Sequence, residues 1–298
     1  MTLKDDTILM SNRVAVVTGG SKGIGLAVST ALVAREVKVV IGDVLTEQGQ
    51  EAVNDLNQTA GYNEAAIFQY CDVRRYDDLK KLFELAETRF GGVDIAAMCA
   101  SVGSNLDGIF QDPMEDEAER SILDVNIGGV IKGNRVAVMH MFKRGGGCII
   151  NTASMAGLMG DTAFASYAST KRAVMGWTQS LEQLRTVNIR VNAETNTARR
   201  RSSIEESRHP CFNVKDASPQ ISMHLVVEAF LACITNHEYA GETLMVTPSG
   251  FLAYPQAELP ESCVSESMVQ ALLDYYPKAS EMNKQQLMSA TQLYFSKL

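Results

Sequence analysis

Little in this chain marks it as anything but a globular protein. It has 7 prolines among 298 residues, with 21% charged and 46% hydrophobic residues, which excludes disordered and collagen-like classes. Basic residues are in deficit: 27 Lys and Arg against 35 Asp and Glu give a formal charge of −8. That balance argues against a nucleic-acid partner, whose phosphates demand a cationic surface. No apolar run reaches the roughly 18–20 residues that span a bilayer. Met1 to Arg13 carries Lys4, Asp5 and Asp6 and has no apolar core, so it does not read as a signal peptide. A cytoplasmic chain with no membrane partner is expected. The six cysteines, at 71, 99, 148, 211, 233 and 263, form no C-x-x-C pair, and the four histidines are equally scattered. Neither a disulfide scaffold nor a metal site is predicted. Cys71 and Cys148 sit at apolar runs and read as small core hydrophobes, with a reactive thiol as the alternative.

What is present is an alternation of short apolar runs with longer helical patterns. Strands are predicted at 13–18, 37–41, 65–71, 93–98, 148–151, 188–193 and 242–247. Helices are predicted at 24–35, 45–58, 76–90, 116–143, 164–184 and 218–235. Seven strands separated by helices imply βαβ units, hence an α/β, doubly wound (Rossmann-type) parallel sheet with helices on both faces. Residues 1–250 form one such domain. Residues 251–298 form a C-terminal extension that begins loop-like, around Pro255 and Pro260, and then turns helical. Its apolar residues Met268, Leu272, Tyr276, Leu287 and Tyr294 need a surface to cover, on this subunit or on a partner, and a lid over the substrate is a third possibility.

Directly after the first strand stands Thr18-Gly19-Gly20-Ser21-Lys22-Gly23-Ile24-Gly25. A glycine-rich turn between strand and helix brings the backbone against a pyrophosphate, and the helix N-terminus adds free N–H groups and a positive dipole end. Asp43 closes the second strand 18 residues after Gly25, near the separation at which a carboxylate meets the adenosine ribose of a dinucleotide. A carboxylate there repels a 2′-phosphate and favours NAD. Lys22 pulls toward NADP, which stays possible. Asp72, with Val73, follows the third strand and either caps a turn or meets the adenine.

Tyr167-Ala168-Ser169-Thr170-Lys171 puts a phenol and an ammonium four residues apart, on one helix face. Ser154 follows the strand ending near Asn151, at the sheet edge where open α/β folds bind ligands. Asn126 lies in the long helical stretch upstream. A phenol can exchange a proton with an alcohol while a hydride moves, provided a cation lowers its ordinary pKa of about 10. Lys171 can do this, Ser154 can fix the substrate oxygen, and Asn126 can hold a relaying water.

These motifs, in this order, resemble the short-chain dehydrogenase/reductase superfamily over about residues 12–250. The matching pieces are TGGSKGIG at 18–25, Asp43, CDV at 71–73, Asn126, INTAS ending at Ser154, and YASTK at 167–171. Within it, FQYCDV, INTASMAGLMG and GETLMVTPSGFLAYP are most similar to 15-hydroxyprostaglandin dehydrogenase-like members. The resemblance implies a catalytic tetrad of Asn126, Ser154, Tyr167 and Lys171. It places Gly19, Ser21, Lys22, Gly23, Ile24 and Gly25 around the pyrophosphate, Asp43 at the ribose, Asp72 and Val73 at the adenine, and Cys99, Tyr167 and Lys171 along the cofactor. It also implies a homodimer or homotetramer paired through the helices near 116–143 and 164–184.

Two family elements are replaced. The expected N-N-A-G reads Met98-Cys99-Ala100-Ser101, and the expected Pro-Gly after the sixth strand reads Asn196-Thr197. Arg199, Arg200 and Arg201 follow, either as a solvated basic run or as a site for an anionic group. Met155, Leu158, Met159 and Phe164 suggest an apolar pocket, or simply a packed loop. The expected function is hydride transfer between a nicotinamide cofactor, NAD favoured, and a bulky apolar secondary alcohol or ketone. The alternatives are a non-redox isomerisation or cyclisation on the same fold, and a non-catalytic binding protein.

Overall fold

Unbroken apolar runs become strands covered on both faces. The computed structural model describes residues 10–103, 116–160, 164–196, 221–256 and 260–298. In it β1 (Val14–Thr18) and β4 (Ile95–Met98) are buried along their whole length, as a parallel sheet between two helical layers requires. The other strands are β2 (Lys38–Asp43), β3 (Ala66–Tyr70), β5 (Gly147–Thr152), β6 (Ile189–Thr195), β7 (Thr243–Thr247) and β8 (Gly250–Ala253). They form one sheet in the order β3-β2-β1-β4-β5-β6-β7-β8. All pairs are parallel except β7 with β8. The eighth strand corrects the count of seven. Phe251 to Ala253, which read as loop, instead fold back as an antiparallel edge before Pro255, where proline cannot continue a ladder.

One apolar layer packs α1 (Gly23–Val33), α2 (Thr46–Ala60) and α7 (Met223–Thr235) on the sheet through Leu32, Leu56 and Phe230. The opposite layer carries α3 (Tyr76–Phe90), α5 (Gly129–Arg144) and α6 (Ala165–Ser180), through Phe83, Met141 and Val174. In α3 the buried residues Leu79, Leu82, Phe83 and Ala86 recur at helical spacing. Its acidic first turn (Asp77, Asp78) and Arg89 in the last turn suit the helix dipole.

The stretch predicted as one helix over 116–143 is in fact three pieces: α4 (Asp116–Leu123), a π turn (Asp124–Gly128) and α5. The predicted helix over 164–184 ends as an α-helix at Ser180 and continues as a 3-10 turn, Glu182–Val187. Thr197, Arg199, Arg200 and Arg201 lie outside the described residues, as does Cys211.

The C-terminal extension forms α8 (Glu266–Phe295), capped by Ser265 Oγ, which accepts the Met268 N–H at 3.2 Å. Its last turns dock on α3 and α5 around His140, which is 0% exposed. Nδ1 of His140 is 2.9 Å from Glu87 Oε2 and Nε2 is 3.2 Å from the Tyr294 hydroxyl. The Tyr294 and Phe295 rings meet the imidazole edge-on, and Lys143 Nζ sits 4.2 Å above the Phe295 ring. Burial holds the imidazole below its ordinary pKa, against the pull of Glu87, so it is held neutral. Among the described residues no helix is long and apolar enough to cross a membrane.

Candidate active site

The glycine loop folds back on the sheet. Gly19 has φ +67°, and a side chain there would begin 2.7 Å from Ala100 Cα. A side chain on Gly25 would begin 2.3 Å from the Gly19 carbonyl, so the loop, the end of β4 and the start of α1 are in direct backbone contact. Lys22, the N-cap of α1, makes no side-chain capping bond, which leaves the first N–H groups for another acceptor. Beyond its chain neighbours and its own helix backbone, no heavy atom of the described residues lies within 4 Å of a side-chain position at Gly23. Free donors, a positive helix end and room beside them fit a phosphate. Asp43 braces the loop: Oδ2 accepts the Ser21 N–H at 3.1 Å and Oδ1 the Leu45 N–H at 3.2 Å. Each oxygen keeps a lone pair for a hydroxyl donor. Ser21 is buried, Lys22 is exposed, and Ile24 packs against the first core layer.

After β3, Asp72 takes the Arg74 N–H at 3.0 Å, which closes a turn. The Arg74 guanidinium also grips it, with Nε at 2.9 and 3.0 Å and Nη2 at 2.6 Å. These bonds hold the Asp72 carboxyl below the ordinary carboxylate range. Val73 is buried against Gly129 of α5. Cys99, just past β4, donates its N–H to the Thr18 carbonyl at 3.1 Å. Burial pushes its thiol up to about 12, the opposite of a reactive thiolate. Cys71 is held at about 12 for the same reason. Among the described residues no group of three or more His, Cys, Asp or Glu could hold a metal ion.

Of the predicted tetrad, Ser154, Tyr167 and Lys171 lie on the turn and the helix that follow β5, and Asn126 on the π turn bonded to that helix. Ser154 caps the short 3-10 turn Met155–Gly157, its Oγ accepting the Ala156 N–H at 3.2 Å. That turn backs onto α6 at Lys171: a side chain on Gly157 would begin 2.9 Å from the Lys171 carbonyl carbon. The Lys171 ammonium, 1% exposed, donates to the Thr152 carbonyl at 2.8 Å and lies 5.6 Å from the centre of the Tyr167 ring. Asn126 lies in the π turn, fully buried, and joins this helix to the opposite loop. Its Oδ1 accepts the Val102 N–H at 2.8 Å, and its Nδ2 donates to the Val102 carbonyl at 2.9 Å and to Thr170 Oγ1 at 3.2 Å. Thr170 Oγ1 in turn donates to the Tyr167 carbonyl at 2.7 Å. Both amide hydrogens of Asn126 are therefore engaged by protein.

A second buried network fixes the helices that carry these groups. Asn151 of β5 and Asn134 of α5 exchange bonds at 2.8 and 3.1 Å, Asn151 also donates to Thr178 Oγ1 at 3.0 Å, and Trp177 Nε1 donates to Asn134 at 3.1 Å. Sequence reasoning passed over this network and also Glu194. An acidic residue inside the otherwise buried strand Ile189–Thr195 was the available signal. Glu194 is 0% exposed, and burial pushes its carboxyl up to about 8 against the Asn196 bond and the Lys171 charge.

Comparison with known proteins gives the family. The short chain dehydrogenase family profile matches residues 13–201. A 3-alpha-(or 20-beta)-hydroxysteroid dehydrogenase of Mycobacterium tuberculosis is 37% identical over 182 residues, covering 61% of this chain and 66% of that protein. An oxidoreductase of Mycobacterium bovis is 33% identical over 186 residues, covering 62% of this chain and 72% of that protein. The crystal structure of a short chain dehydrogenase from Mycobacterium smegmatis superposes with a TM-score of 0.67 at 22% identity, over 80% of this chain and 93% of that one. With the profile spanning well over half of its length, the chain belongs to the short-chain dehydrogenase family of oxidoreductases.

Proposed function

We propose that the protein transfers a hydride between a nicotinamide dinucleotide, NAD in preference to NADP, and a bulky apolar secondary alcohol or ketone. The observation that carries this reading is the Lys171 ammonium, almost wholly buried and 5.6 Å from the Tyr167 ring. Burying a cation is costly, and one beside a phenol has a clear use, since it favours the phenolate.

The bound dinucleotide supplies the hydride acceptor for an alcohol or the donor for a ketone. Tyr167 takes or returns the hydroxyl proton. Ser154 accepts one backbone N–H and keeps its own O–H to donate to the substrate oxygen. Lys171 would hold the nicotinamide ribose as well as the phenolate, and Asn126 fixes helix α6 through its bond to Thr170. Gly19, Ser21, Lys22, Gly23, Ile24 and Gly25 would surround the pyrophosphate, Asp43 would meet the ribose, Asp72 with Val73 the adenine, and Cys99 would lie beside the cofactor. Asp43, braced at the end of β2, supports the preference for NAD.

The apolar substrate is supported by Met159, which is 66% exposed and not absorbed into the core, and by the hydroxysteroid dehydrogenase relative. The test is to incubate the protein with NAD and a panel of apolar secondary alcohols. A rising absorbance of reduced nicotinamide is expected. Conversion of a substrate with no such change would overturn the reading in favour of a non-redox reaction.

A further inference from the structure

The first half of α8 stands clear of the domain. From Ala279 onward the helix is docked: Ala279 and Thr291 are buried, and Leu287 and Tyr294 pack on the second core layer. From Glu266 to Lys278, by contrast, every residue except Met268 is exposed. Pro277 lies at the boundary, where it withholds the N–H that would bond the Leu273 carbonyl. A helical stretch of about 12–15 residues without tertiary packing is marginally stable in water, so this one gains from a surface to lie on. Its own pattern defines the face to be covered. Val269, Leu272, Leu273 and Tyr276 recur at the spacing of one helical stripe. Val269 and Leu287 are 18 residues apart, as are Tyr276 and Tyr294, and 18 residues make about five whole turns, so each pair points the same way. The side on which the second half docks therefore continues as an apolar stripe past the edge of the domain. Helical spacing puts Asp274 and Lys278 on the opposite side, so no charge stands in the stripe.

A second copy of the chain fits this stripe in one orientation. Two parallel arms joined through their stripes would drive each helix into the other domain, because each domain stands on that same face from Ala279 onward. Antiparallel arms avoid the clash: the Leu272–Leu273 turns meet at the twofold axis, and Val269 of each copy lies beside Tyr276 of the other. The four stripe residues, with Tyr275 beside them, are between 36% and 62% exposed. They present on the order of 500 Å² per chain, and a symmetric pair covers on the order of 1,000 Å², enough for a specific interface. A lipid surface suits the arm less well, since Lys278 is its only basic residue between 266 and 278 and interfacial helices hold anionic membranes through a cationic face.

We propose that residues 266–278 form a dimerisation arm, which pairs antiparallel with the same stretch of a second copy of this chain. The pairing concerns assembly alone and does not rest on hydride transfer.

Two measurements on the full chain test it. The first is sedimentation velocity over a micromolar concentration range. The parent should self-associate, and Leu272→Glu, which puts a charge into the stripe, should weaken that association by about ten-fold or more. A parent that stays monomeric overturns the proposal, whether another part of the chain or a different partner covers the stripe. An association that Leu272→Glu leaves unchanged overturns it too, since the copies then pair elsewhere. The second is cross-linking with a mild oxidant. Cys263 is exposed, so the background carries Cys211→Ser and Cys263→Ser. Leu273→Cys, near the twofold axis, should give a disulfide-linked dimer, and Asp274→Cys, on the opposite side of the helix, should not. No cross-link at Leu273→Cys, or equal cross-linking at the two positions, overturns the proposal. This second measurement decides the matter if Leu272→Glu does not fold.

Discussion

Replacing Glu194 by Gln should stabilise the protein, and by an amount that grows with pH. The carboxyl titrates at about 8 in the fold against an ordinary 4.5. Between those values the unfolded chain releases a proton that the folded chain retains. The sign follows: the folded pKa is raised, so the contribution is most favourable below pH 4.5 and is lost progressively as pH rises toward 8. The cost of keeping the acid protonated is about 1 kcal/mol at pH 5 and about 4 kcal/mol at pH 8. Glutamine stays neutral at both, keeps the shape, and offers its amide oxygen to Asn196 Nδ2 in place of the acid. Urea unfolding of parent and variant at pH 5, 6.5 and 8 measures the gap. It should widen by about 3 kcal/mol, which is about 1 M or more in midpoint at an m-value near 3 kcal/mol/M. A gap that stays constant with pH would refute the reasoning, because it would mean that Glu194 ionises normally in the fold.

Asp43→Ala should cost about 1–2 kcal/mol of stability, since the Ser21 and Leu45 N–H groups lose their acceptor; titration with both dinucleotides should show the preference for NAD over NADP shrinking. Asn126→Ala strands both polar groups of Val102 and loosens Thr170. A loss of about 2–4 kcal/mol is expected, read by thermal unfolding, with faster amide exchange at Val102. Tyr294→Phe leaves the buried Nε2 of His140 without its hydroxyl partner and should speed amide exchange in the last turns of α8. Burial holds the His140 imidazole below its ordinary value of 6.5, so the stability that its neutral form brings is present above that pH and is lost as pH falls through it. The same α8 turns should therefore loosen on acidification from pH 7 to 5, and exchange that is insensitive to pH would contradict the His140 role.

The sheet was legible because parallel strands buried on both faces leave continuous apolar runs such as Val14–Thr18, and because glycines at 19 and 25 stand where backbone meets backbone. The Tyr167–Lys171 pair was legible because helical periodicity alone puts both on one face. The rest depended on contacts that periodicity does not encode. The π turn at Asp124–Gly128 is a backbone adjustment with no compositional marker, and it lets Asn126 reach Val102 across a loop. β8 was missed because Phe251 and Leu252 lie between turn residues and two prolines, and only the free edge of β7 makes a strand of them. Glu194 was passed over because an acidic residue near a strand end is usually solvated. Here the neighbouring strand and α7 close over it, and Asn196, in the place where the family carries proline, supplies the donor that its burial requires.

The central claim is that Tyr167 moves the proton that accompanies hydride transfer. Tyr167→Phe removes one oxygen and leaves the ring against Lys171. Single-turnover oxidation of a secondary alcohol that the parent accepts, followed by the reduced-nicotinamide absorbance at saturating NAD, tests the claim most directly. A loss of about 100-fold or more in rate, with NAD binding retained, is predicted. Full activity in the variant would contradict the account.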